Sequence, residues 1–67
     1  MPRLNEAQVI FEFVRVGSYV KVVAVDPVTG TEATIVGNPM SGEAMLKRTA
    51  VQKLKYVMDK ATPPGRR

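Results

Sequence analysis

IFEFVRVGSYVKVVAV, residues 10–25, decides how this chain folds. It reads as two strands joined by a two-residue turn, over about Ala7–Val16 and Tyr19–Asp26. Side chains alternate faces along a strand, so Val9, Phe11 and Phe13 share one face, and Ile10, Val14 and Val16 the other. Gly17-Ser18 fits a type II′ turn, because glycine accepts the positive φ required at its first central position. That turn sets the register. Val16 faces Tyr19, Val14 faces Lys21, Phe13 faces Val22, Glu12 faces Val23, and Phe11 faces Ala24. Glu12 then stands diagonal to Lys21, close enough for a weak cross-strand ion pair. Both faces of the hairpin are rich in apolar residues, so both ask for a cover.

Downstream, DPVTGT (26–31) is a turn: Pro27 presets φ, Asp26 accepts from the turn backbone, and Gly30 takes the left-handed position. A four-residue loop pairs Asp26 with Thr31, Ala24 with Ala33 and Val22 with Ile35, and predicts a third strand from Thr31 to about Val36. GNPMSGE (37–43) then breaks the ladder at Pro39 and starts a helix, with Ser41 as N-cap and Glu43 favoured in the first turn. From Gly42 to about Ala61, Leu46, Ala50, Leu54, Val57 and Ala61 recur at helical spacing, flanked by Val51 and Met58. The expected fold is α+β: a three-stranded antiparallel β-meander followed by one C-terminal α-helix packed on one sheet face. Residues 7–61 are expected to form the single βββα domain, 1–6 a flexible N-terminus, and 62–67 a disordered basic tail. The helix is expected over the face that carries Phe11, Phe13, Val20, Val22 and Ile35.

Composition narrows the chemistry. Among 67 residues there is no Cys and no His. This removes disulfides, zinc sites of the usual kind and Ser-His or Cys-His nucleophiles. No apolar run approaches the ~20 residues that span a bilayer, so a cytoplasmic protein without membrane, metal or cofactor partners is expected. The net charge of +4 is uneven: residues 1–41 hold three basic against four acidic residues, net −1, and residues 42–67 seven against two, net +5.

One helix covers one face. The second keeps Ile10, Val14, Val16, Tyr19, Val23, Val25 and Val36, with Glu12, Lys21, Glu32 and Thr34 among them. Burying seven such apolar side chains at about 1.5 kcal/mol each is worth on the order of 10 kcal/mol per subunit. That is comparable with an association cost of roughly 4–15 kcal/mol. The leading expectation is therefore a non-enzymatic interaction module that forms a homodimer, or docks a protein partner, through this valine-rich face. The alternative is a weak nucleic-acid-binding accessory protein using Lys47, Arg48, Lys53, Lys55, Arg66 and Arg67. Against it, helical geometry puts Arg48 and Lys55 on one flank of the apolar stripe and Lys53 and Lys60 on the other, which suits a solvated helix better than a phosphate track. The open face also lacks the Arg, Asn and Gln with which a sheet reads bases.

Catalytic readings are thin. Glu12 and Glu32 share a face but no cleft, and GNPMSG lacks the lysine and spacing of a phosphate loop. No catalytic residue is expected. The pattern F-x-F-x-R-x-G at 11–17, V-x-A-x-D-x-x-T-G-x-E at 22–32 and K-L-x-Y-V at 53–57 resembles a small uncharacterised bacterial domain family, found chiefly in alphaproteobacteria. The resemblance spans about residues 9–58. It implies a free-standing bacterial domain and carries no activity, cofactor or site residues.

Overall fold

The computed structural model describes residues 6–60. A short 3-10 turn, Glu6–Gln8, leads into β1 (Ile10–Val16), β2 (Tyr19–Val25) and β3 (Glu32–Gly37); a second 3-10 turn, Pro39–Ser41, leads into α1 (Glu43–Lys60). The sheet is an antiparallel meander in the order β1-β2-β3. The fold class is the expected α+β arrangement, βββα.

The register follows from the two turns. Gly17 has φ 58° and no described non-glycine residue has positive φ, which is the type II′ pattern. Val16 pairs with Tyr19, Phe13 with Val22 and Phe11 with Ala24; across the second ladder Ala24 pairs with Ala33 and Val22 with Ile35. Arg15 Nε donates to the Gly17 carbonyl at 3.1 Å and steadies the turn. Asp26 organises the next loop from a buried position. Its carboxylate accepts from the Val28 amide at 3.2 Å and the Thr29 hydroxyl at 2.9 Å, and its carbonyl accepts from the Gly30 amide at 2.7 Å.

Several boundaries differ from the sequence reading: β2 ends at Val25 rather than Asp26, β3 begins at Glu32 rather than Thr31, and α1 begins at Glu43 rather than Gly42. β1 begins at Ile10 rather than Ala7, because Glu6–Gln8 curl into the 3-10 turn, with the Val9 amide donating to the Glu6 carbonyl at 3.3 Å. β3 runs one residue further, to Gly37. Ser41 is not the cap of α1. It closes the second 3-10 turn, whose own cap is Asn38, accepting from the Met40 amide at 2.8 Å. Gly42, at φ 91°, then turns the chain into the helix, and its carbonyl accepts the Leu46 amide at 3.2 Å. Ser41 therefore sits one residue outside the cap position. The expected helix end at Ala61, the tail 62–67 and residues 1–5 lie outside the described residues.

The core joins Val9, Val20, Val22, Ala24 and Ala33 to Leu46, Ala50, Val51 and Leu54 of α1. Across the covered face, side-chain size falls from β1 to β3: Phe11, Ala24 and Ala33 form one row, and Arg15, Val20 and Gly37 another. The helix settles where the sheet is low. It lies over β3 and β2, and a Cβ on Gly37 would collide with the Leu46 side chain. Phe11 and Phe13, expected under the helix, stand beside it and remain half-buried.

Candidate functional site

The opposite face of the sheet carries no element among the described residues. Pairing arranges it in rows across the strands: Ile10, Val25 and Glu32; Glu12, Val23 and Thr34; Val14, Lys21 and Val36; then Val16 and Tyr19 at the hairpin end. All seven apolar residues singled out in the sequence share this face. Ile10 is 56% exposed, Val36 61%, Tyr19 40% and Val16 39%, while Val14, Val23 and Val25 are half-buried among their neighbours. The exposed valine-rich surface is contiguous, with charges of both signs. Glu12 and Lys21, expected as a diagonal pair, are not within ion-pair distance. Both therefore keep their charge available at the surface.

The basic residues are dispersed. Lys53 Nζ crosses to the β3 edge and donates to the Thr34 carbonyl at 2.8 Å. Lys55 Nζ pairs with Glu6 Oε2 at 2.7 Å on the other side of the helix. Lys47 lies 5.4 Å from the centre of the Phe11 ring, and Lys60 5.6 Å from that of Tyr56. Lys47, Arg48 and Lys55 do gather on one flank, while Lys53 faces away from them. Arg66 and Arg67 lie outside the described residues.

That flank holds a feature the sequence did not reveal. Because α1 sits towards β3, a groove opens between it and β1. One cavity of about 350 Å³ is bounded by Phe11, Lys47, Arg48 and Lys55, with Glu6 at its end. A second, of about 360 Å³, is bounded by Phe13, Arg15, Glu43 and Leu46. Its signal was the size gradient from Phe11 and Arg15 to Ala33 and Gly37, which becomes legible only once the strand pairing is known.

Among the described residues no group of three or more His, Cys, Asp or Glu could hold a metal ion, and no helix is long and apolar enough to cross a membrane. The model of one family, Domain of unknown function (DUF6898), matches residues 6–61. No curated protein and no solved structure matches the chain. The match takes in every described residue, and the chain belongs to the DUF6898 family.

Proposed function

We propose that this DUF6898 domain is a non-enzymatic interaction module that self-associates through the open face of its sheet. The observation that carries the reading is the contiguous apolar surface on a sheet whose single helix is already committed to the other side. Large exposed apolar patches are uncommon on monomers and mark interfaces. Two copies stacked face to face would form a sandwich with the helices outside. The charges suit a second copy, since a two-fold axis can set Lys21 of one copy against Glu12 or Glu32 of the other. With three of the seven apolar residues already half-buried, the remaining gain is roughly 5 kcal/mol per copy. Two copies together then fall within the roughly 4–15 kcal/mol that association costs.

The basic helix lends less support to nucleic-acid binding, because its cations are divided between two sides of α1 and engage groups of the domain itself. Resemblance to an alphaproteobacterial family and the cysteine-free sequence support a bacterial, cytoplasmic setting.

Sedimentation velocity of the wild type and of Val23→Lys tests the reading. Lysine at this central position stands across from Glu12, an opposite charge that offsets its nearness to Lys21 on the same face. The wild type should sediment as a dimer at micromolar concentration and the variant as a folded monomer. A monomeric wild type, or a variant with unchanged mass, contradicts it. Retention of random-sequence RNA at ~50 mM salt, where phosphate contacts are strongest, would favour the nucleic-acid reading instead.

A further inference from the structure

The two edges of the sheet are finished differently. Residues flanking a two-residue hairpin turn form a hydrogen-bonded pair, so Val16, Val14, Glu12 and Ile10 direct their amides and carbonyls towards β2. Phe11, Phe13 and Arg15 therefore direct theirs outward. The same alternation carried through β2 turns the Thr34 carbonyl outward on β3, where Lys53 meets it at 2.8 Å. A lysine placed on an edge strand is one way a protein blunts it. No described residue does the same for β1, and the groove over Phe11 and Phe13 runs directly along it.

Charge decides what fits there. A second copy's β1 is a poor occupant. In the antiparallel register that overlaps the whole strand, Arg15 of one copy faces Phe11 of the other, where Lys47 and Arg48 already stand. Slipping that register by two residues towards the N-terminus sets Glu12 against Glu12. An extended segment with an apolar residue between two acidic ones fits better: Glu6 is already paired with Lys55, which leaves Lys47, Arg48 and Arg15 against the single carboxylate of Glu43 along the groove. Its backbone can pair with Phe11, Phe13 and Arg15, and its apolar side chain can rest on Phe13. The flanking carboxylates then reach Lys47 and Arg48 at one end and Arg15 at the other.

We propose that the free edge of β1, with the groove between β1 and α1, binds an extended acidic peptide segment as a fourth strand. Recognition would combine main-chain pairing for affinity with alternate side chains for specificity. The site is separate from the open face, which a strand added in plane leaves accessible, so either reading can fail without the other.

The test is an NMR titration of the full chain with a capped peptide of sequence Thr-Glu-Val-Leu-Val-Glu-Thr, followed by hydrogen exchange of the complex. The alternation in the probe serves both strand directions. Exchange at the Phe11, Phe13 and Arg15 amides should slow by about tenfold or more at saturation. Amides of Glu12 and Val14 should change far less, a contrast that charge attraction without strand pairing would not produce. A peptide with lysine in place of both glutamates, and the Lys47→Glu/Arg48→Glu variant, should each bind about tenfold more weakly. Unchanged exchange at the three outward amides in the presence of millimolar peptide overturns the proposal. So does equal binding of the lysine peptide, or perturbation confined to the Val23 face.

Discussion

Val22 and Val23 are neighbours on the same strand with opposite environments. Val22 is fully buried beneath α1, while Val23, at the centre of the other face, is only half-covered by Glu12, Thr34 and the adjoining valines. The residue type is the same, and the strand geometry is the same. What differs is the layer above. One face holds the domain together through the packing of Leu46, Ala50 and Leu54, and the other keeps a row of branched side chains that no described element covers. The same sequence device, valine at period two, thus serves stability on one side and, in the function proposed above, association on the other.

Substitutions can break that contrast from either side. The largest effect is expected from Val22→Glu, which places an unpaired carboxylate in the core; the variant should be unfolded by circular dichroism. Leu54→Ala, at a fully buried helix position, should cost about 2–5 kcal/mol in urea denaturation. Gly37→Ala should cost about 1–3 kcal/mol, because its methyl group meets Leu46 and lifts the helix from the low side of the sheet. Asp26→Ala removes a buried acceptor of two hydrogen bonds, and should lower stability by about 1–3 kcal/mol while leaving the β1-β2 hairpin intact by NMR. The smallest effect should follow Lys55→Ala. Its partner Glu6 is well exposed, and the loss should stay within about 1 kcal/mol. None of the last three should alter the oligomeric state measured under native conditions, and a change there would show that the two faces are coupled.

The hairpin and its register were legible because Gly17-Ser18 leaves little choice of pairing, and each pairing decides which face every residue takes. The loop at Asp26 was legible for the same reason. The lateral position of α1 was not. It depends on comparing Phe11 with Ala33 and Arg15 with Gly37, residues more than twenty apart that come to share a row only after the sheet forms. The start of α1 was misplaced because Ser41 is the better capping residue by type, whereas the chain turns at Gly42, whose φ of 91° a side chain rarely accepts. Of the candidate surfaces, the valine-rich face followed from alternation alone. The groove, and the bond from Lys53 to Thr34 across nineteen residues of sequence, depend on where the helix comes to rest.

Isotope-filtered NOE spectroscopy on a mixture of labelled and unlabelled chains examines the open face most directly. Burial of that face between two copies predicts intermolecular cross-peaks involving the methyl groups of Val14, Val23 and Val36, and none from Val22 or Leu54. A spectrum without intermolecular cross-peaks at millimolar concentration would contradict the account, as would cross-peaks confined to residues outside that face.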